Sequence, residues 1–145
     1  PIKLRYRLVM TKDWRTRQAS FDLAQGKSRR TLEIVRDGGG WKVDGAARSD
    51  LDGADDIDIS GTPLTNTQAI KQLGLKSGKT KSFRIAYVKL PSLAVAAMSQ
   101  EYTRLDPGEP PKRFRYTSPG FTAVVDFDDD GLVVDYPPGW KRRTR

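Results

Sequence analysis

The sequence contains neither cysteine nor histidine. Without cysteine the chain can form no disulfide and no thiolate metal site. Without histidine it lacks the commonest general base, which excludes Ser-His and Cys-His catalytic arrangements. Long apolar runs are missing too, since no segment approaches the ~20 residues that a membrane-spanning helix requires. These absences favour a non-catalytic protein that needs no metal and no cofactor.

The length of 145 residues is typical of one domain, and we predict a single domain over residues 1–145. The net charge of +8 is unevenly distributed, with ten Lys/Arg and four acidic residues among the first forty. A basic surface of this kind permits contact with phosphate, nucleic acid or anionic lipid headgroups. No apolar signal segment is visible, so we expect a cytoplasmic location. Because the chain begins with Pro1 rather than Met, we expect its natural N-terminus to lie upstream.

Alternation of apolar and polar residues dominates the chain. Ile2–Met10 alternates with lysine and arginine, and Lys81–Leu90 is the clearest strand. About nine or ten short strands with turn signals every 8 to 12 residues predict a mainly β sandwich, barrel or rolled sheet. One short helix is expected after Thr62-Pro63, with Thr62 as N-cap, and it should end near Gly74.

The stretch from Trp41 to Leu75 is the most unusual in the chain. It contains six aspartates, namely Asp44, Asp50, Asp52, Asp55, Asp56 and Asp58. They could form a solvated acidic loop, or a calcium site that opens with Asp50-Leu51-Asp52-Gly53. An EF-hand loop would place glutamate at its twelfth position, which here is Gly61. Alternatively, some carboxylates point inward and hold backbone groups or arginines, as buried carboxylates must.

Several motifs resemble one protein family. They are Arg29–Ile34, Gly40–Gly45, Asp50–Gly53, Asp56–Asp58, Thr62–Thr67 and Gly131–Pro137. In this order they are similar to the bacterial family known as Putative glycolipid-binding. The resemblance implies a single curved antiparallel sheet, a β-roll or open half-barrel related to lipoprotein carriers, with one short helix. It also implies an additional N-terminal strand region before Pro1, which this chain would lack.

An open curved sheet exposes an apolar face, and such a face usually marks a ligand groove or a partner surface. We therefore predict non-catalytic binding of a lipid or glycolipid, and contact with a membrane surface is compatible with it. Thr65 and Asn66 could bind a sugar hydroxyl or simply cap the helix, and each large apolar candidate could instead be part of the core. The predicted ligand-binding residues are Trp41, Thr65, Asn66, Phe83, Ile85, Tyr87, Phe121, Phe127 and Trp140.

Two other functions remain open from the sequence. A glycosidase could use two carboxylates of the Asp50–Asp58 cluster as acid and base, without histidine. The basic strands and the Lys141–Arg145 tail could bind nucleic acid, although no aromatic-basic motif of the RRM type accompanies them. We favour the lipid or glycolipid ligand and expect no nucleic-acid partner.

Overall fold

The computed structural model describes residues 1–143 and confirms the mainly β class with one short α-helix. A single 3-10 turn, Ser49–Leu51, completes the regular structure of the described residues. The strands are β1 (Ile2–Met10), β2 (Thr16–Gln25), β3 (Ser28–Asp37), β4 (Gly40–Val43), β5 (Ala46–Ala47), β6 (Asp56–Ile59), β7 (Thr80–Lys89), β8 (Ala94–Arg104), β9 (Arg113–Ser118), β10 (Phe121–Phe127), β11 (Val133–Tyr136) and β12 (Trp140–Lys141).

Backbone hydrogen bonds arrange these strands in a five-stranded sheet with the order β1-β2-β3-β4-β5 and a seven-stranded sheet with the order β12-β11-β10-β9-β8-β7-β6. Sequential hairpins build the first sheet, because short turns leave each strand beside its predecessor. Gly26 makes the β2–β3 turn possible with a positive φ of 58°.

One strand pair departs from the antiparallel expectation. β6 pairs with β7 in parallel, with Asp56 opposite Ile85 and Ile59 opposite Val88. A parallel pair requires a crossover connection, and the chain makes it through the helix α1 (Leu64–Leu73). The sequence predicted β7 and the helix, but alternation carries no information about strand direction.

The chain groups into two compact units. Unit 1 comprises Pro1–Ser60 and Ile85–Ala97, and unit 2 comprises Gly61–Arg84 and the chain from Met98 onward. The apolar core of unit 1 includes Phe21, Leu23, Ile34 and Trp41. The alternation of Phe21 and Leu23 along β2 and of Ile34 along β3 explains why one face of this sheet is buried while the other carries charged side chains. The single-domain organisation stays a prediction.

Unit 2 contains α1 and most of the aromatic core. The helix begins one residue later than predicted, after Pro63, and Thr62 Oγ1 accepts a hydrogen bond from the Leu64 amide at 3.4 Å. It ends as predicted at Gly74, which adopts the left-handed conformation. No helix within residues 1–143 combines the length and the apolar sequence of a membrane-crossing segment.

Candidate ligand-binding site

The helix α1 buries polar side chains where an amphipathic helix would bury apolar ones. Four consecutive residues, Thr65, Asn66, Thr67 and Gln68, are all buried, whereas Leu64 and Leu73 are only half-buried. Among the apolar residues of the helix, only Ile70 is buried. Buried polar groups need hydrogen-bond partners, so this helix brings a polar surface into the interior of unit 2.

Two amide–phenol hydrogen bonds form the polar centre of unit 2. Asn66 Nδ2 donates to the Tyr102 hydroxyl at 2.7 Å, and Gln100 Nε2 donates to the Tyr116 hydroxyl at 2.8 Å. Tyr102 and Tyr116 lie opposite each other on β8 and β9, with ring centroids 5.2 Å apart. The antiparallel register thus places the two phenols side by side, and each accepts a hydrogen bond from one amide.

An aromatic surface extends from Tyr116 towards solvent. Its ring lies 6.1 Å from Phe121 and 6.1 Å from Tyr136, and Phe121 and Tyr136 stack at 6.2 Å with an interplanar angle of 11°. Phe121 is 36% exposed although it is large and apolar. Trp140 lies opposite Tyr136 across β11 and β12 and is half-buried. We call Tyr116, Phe121, Tyr136 and Trp140 the aromatic face.

Strand periodicity explains why these rings share one side of the sheet. Phe121 is two residues before the buried Ala123 and four before the buried Val125, so its side chain points to the same side as theirs. Val124, which is 37% exposed, points to the opposite side. The aromatic face is therefore the open continuation of the sheet side that forms the core of unit 2.

The predicted residues Phe83 and Phe127 also lie in unit 2, at its core. Phe83 stacks on Tyr102 with centroids 5.8 Å apart. Phe127 is buried and meets Phe114 edge to face at 5.6 Å. Phe83 thus contacts Tyr102 directly, whereas Phe127 is linked to it through Phe114, whose ring lies 6.3 Å from that of Tyr102.

The other predicted residues lie in unit 1. Trp41 is only 2% exposed, and its indole Nε1 donates to the Ala54 carbonyl at 3.1 Å. Ile85 is buried and Tyr87 is half-buried on β7, where they pair with Asp56 and Asp58 of β6. Trp41 therefore occupies the core of unit 1. The nine predicted residues divide between the two units, with six of them in unit 2.

Sequence reasoning missed Gln100, Tyr102, Tyr116 and Tyr136. The alternation of Gln100, Tyr102 and Arg104 along β8 was visible, and so was that of Phe114 and Tyr116 along β9. The signal that joins these residues is the register between β8 and β9, and no local pattern reveals it.

Asp56 is the one buried carboxylate of the acidic segment and holds the backbone of unit 1, as the third interpretation predicted, whereas Asp44 and Asp50 make their contacts at the surface. Asp56 accepts hydrogen bonds from the Thr16 amide at 3.1 Å and from the Ile57 amide at 2.8 Å. Asp44 accepts from the Glu33 amide at 2.8 Å. Asp50 binds the Arg48 guanidinium with both oxygens, at 2.7 and 2.8 Å.

Among residues 1–143, no three acidic side chains come together in a group that could hold a metal ion. The three carboxylates with contacts described above are engaged with backbone amides or with arginine. Such engagement disfavours their use as a glycosidase acid and base, which need a cleft with room for substrate.

Asp128 organises the turn between β10 and β11. Burial alone would raise the pKa of its carboxyl, but the Leu132 amide, the Arg142 guanidinium and the Asp130 amide together lower it. Arg142 Nη1 donates to Asp128 Oδ2 at 2.7 Å. Part of the predicted basic tail is thus tied to this turn, and residues 144 and 145 lie outside the described residues.

Comparison with known families gives a clear result. The model of the family described as "Putative glycolipid-binding" matches residues 1–142. The chain belongs to this family. This confirms the resemblance on which the fold and ligand class were predicted.

The structure is also similar to the crystal structure of a DUF1089 family protein from Pseudomonas aeruginosa. The TM-score is 0.89 at 38% sequence identity, and the alignment covers 99% of this chain and 78% of that one. No curated protein shows a significant match. Membership of the family favours a binding role over a catalytic one, and the mainly β fold is compatible with ligand binding.

Proposed function

We propose that this protein binds an amphipathic lipid or glycolipid without catalysis, and that the aromatic face of unit 2 is the contact surface. The observation that carries the proposal is the continuity of this surface. Exposed Phe121 and half-buried Tyr136 lead through Tyr116 to the buried pair Asn66 and Tyr102. On this side of unit 2, the surface is therefore apolar and exposed at Phe121, and polar and buried at Asn66 and Tyr102.

The chemistry of the two ends differs in a way that suits an amphiphile. Stacked rings offer flat apolar area to an acyl chain or to the apolar side of a sugar ring. Phenol and carboxamide groups can both donate and accept hydrogen bonds, which matches the hydroxyl groups of a headgroup. Ligand sites commonly combine a mainly apolar lining with a few fixed polar groups.

A non-catalytic role agrees with the remaining chemistry of the chain. The sequence has no histidine or cysteine, and Asp44, Asp50 and Asp56 bind backbone amides or arginine. The family description names binding and no reaction.

The test is native mass spectrometry of protein purified without detergent, combined with titration of a fluorescent fatty-acyl probe. Phe121→Ala removes the most exposed ring of the aromatic face and should weaken probe binding about tenfold, as loss of an aromatic anchor does. Val124→Ala is the matched control, because Val124 lies on the same strand with similar exposure but on the other side of the sheet. It should change the affinity by less than about twofold.

Failure to bind the probe and any co-purified lipid would contradict the proposal. Equal losses in Phe121→Ala and Val124→Ala would move the contact away from the aromatic face, because Val124 lies on the other side of the sheet. Circular dichroism of both variants shows whether either change has unfolded the protein.

A further inference from the structure

Three lysines lie close together in unit 2, at the start of β7. They belong to a stretch without acidic residues, which runs from Asp58 to Glu101. We call Lys76, Lys79 and Lys81 the basic turn. All three residues are exposed, and none of them forms a salt bridge with any of residues 1–143. Their positive charges are therefore available to a ligand.

Hydrogen bonds fix the backbone of the basic turn. The Lys79 amide donates to the Lys76 carbonyl at 3.1 Å, and Gly78 between them has a positive φ of 74°. The Gly78 amide donates to the Arg104 carbonyl at 2.9 Å, and the Arg104 amide donates to the Lys79 carbonyl at 3.0 Å. The Arg104 guanidinium also holds the preceding Leu75 carbonyl, at 2.9 Å. Because the backbone is already ordered, little further ordering is needed when a ligand binds.

Strand alternation places Lys81 on the same side of the sheet as the polar centre of unit 2. The hydroxyls of Thr80 and Thr103 share a hydrogen bond of 2.8 Å on one side of β7 and β8. Lys81 and Tyr102 are their neighbours along the two antiparallel strands, so both point to the other side. Phe83, two residues after Lys81, stacks on Tyr102 with centroids 5.8 Å apart. The Lys81 ammonium therefore belongs to the side on which Tyr102 accepts its hydrogen bond.

The buried cation of this side is engaged with its own loop. Arg104 is two residues from Tyr102 on β8 and is 5% exposed. Its guanidinium donates to the carbonyls of Leu75, Asp106 and Gly108 and to the Glu109 carboxylate. Arg104 therefore holds protein groups rather than a ligand, and it also neutralises the Glu109 carboxylate. Lys81 is left as a cation that an anionic group can reach.

Lys81 adds a positive charge to a polar centre built from uncharged amides and phenols. Such amides and phenols match hydroxyl groups, whereas a phosphate requires an opposite charge, and lysine binds phosphate as a point charge. In the sheet order, β7 is three strands from β10, which is about 14 Å. One lipid molecule with a long acyl chain can span this distance, from Lys81 to Phe121.

We propose that the amphiphile is an anionic lipid, with the phosphate of its headgroup at Lys81 and Lys79 and its acyl chain on the aromatic face. This inference rests on the proposed function and adds the charge of the ligand to it. The exposed charges and the aromatic face would then bind the two ends of the same molecule.

Two lipids that differ only in a phosphate test the inference. Palmitoyl lysophosphatidic acid and monopalmitoylglycerol share the acyl chain and the glycerol. Each is titrated, below the concentration at which it forms micelles, against protein loaded with a fluorescent fatty-acyl probe. The phosphate-bearing lipid should displace the probe at about tenfold lower concentration. Added salt should reduce this preference, because exposed charges are screened.

Substitutions locate the preference. Lys81→Gln should lower it about fivefold, the upper range for an exposed ion pair, and the Lys79→Gln, Lys81→Gln double variant should remove it. Lys89→Gln is the matched control, because Lys89 is an exposed lysine at the other end of β7. It should change the preference by less than about twofold. Monopalmitoylglycerol should bind all these variants equally, which shows that they remain folded.

A third titration separates a lipid headgroup from a soluble phosphate. Glycerol 3-phosphate carries the same headgroup without the acyl chain, and it should bind far more weakly than lysophosphatidic acid in isothermal titration. Equal affinity for these two compounds would assign the lysines to a soluble phosphate and overturn the inference.

Two other results would overturn the inference and leave the proposed function in place. One is equal affinity of the unmodified protein for lysophosphatidic acid and monopalmitoylglycerol. The other is an equal loss of preference in Lys81→Gln and Lys89→Gln, which would indicate attraction by net charge alone. Binding of neither lipid would overturn both the inference and the proposed function, so the two failures are distinguishable.

Discussion

Asp56→Asn should be far more damaging than Asp50→Asn, although both remove one carboxylate from the same acidic segment. The Asp56 side chain is 8% exposed and that of Asp50 is 55% exposed. Asp56 accepts from two backbone amides and lies 4.0 Å from Arg36. An asparagine has one acceptor oxygen, so one of the two amides would lose its partner.

A buried hydrogen bond to a charged group contributes about 1.5–3 kcal/mol, and the loss of charge near Arg36 adds to it. We expect Asp56→Asn to lower the free energy of unfolding by about 2–4 kcal/mol. The exposed Asp50–Arg48 pair should contribute less than about 1 kcal/mol. Urea unfolding followed by tryptophan fluorescence measures both values, and the melting temperature should fall by about 6–12 °C for Asp56→Asn.

The reasoning is refuted if the two variants have the same stability, or if Asp56→Asn lies within about 0.5 kcal/mol of the unmodified protein. Either result would mean that the acidic segment is not anchored through Asp56.

Two other substitutions test single contacts in unit 2. Because the folded pKa of Asp128 is lowered, its charge stabilises the fold above the unfolded pKa of about 3.9, and this contribution is lost as pH falls through the folded value. Asp128→Asn should therefore reduce stability near pH 7 by about 1 kcal/mol or less, through loss of its ion pair with Arg142, and the difference should vanish in strong acid. Tyr102→Phe should lower the free energy of unfolding, measured in urea, by about 1–3 kcal/mol, because the buried Asn66 amide loses its acceptor. Tyr87 is half-buried, and Tyr87→Phe should change this free energy by less than about 0.5 kcal/mol. Equal effects of the two tyrosine substitutions would argue against the Asn66 contact.

Local patterns predicted most of the secondary structure. Period-two alternation located Ile2–Met10 as a strand, and glycine marked the end of α1 at Gly74. These features depend on residues close in sequence, whose conformational preferences act before any tertiary contact forms. The later start of α1 is a difference of one residue at a helix end, where boundaries are least sharp.

The candidate site was predicted less completely. Asn66, Phe121 and Trp140 were identified as possible ligand contacts from their residue types and positions. Tyr102 and Tyr116 were not, because an isolated strand does not reveal what its aromatic residues face. The position of Lys81 beside Tyr102 was equally invisible, since it is a property of the pairing between β7 and β8.

The sequence by itself determined the mainly β class, the position of the helix and the lack of histidine and cysteine chemistry. Tertiary structure alone decided which polar residues are buried and which side chains meet. Asn66 and Tyr102 are 36 residues apart in the chain, and Thr16 and Asp56 are 40 apart. Contacts at such separations depend on strand register and direction, which are fixed by packing of the whole sheet rather than by the preferences of neighbouring residues.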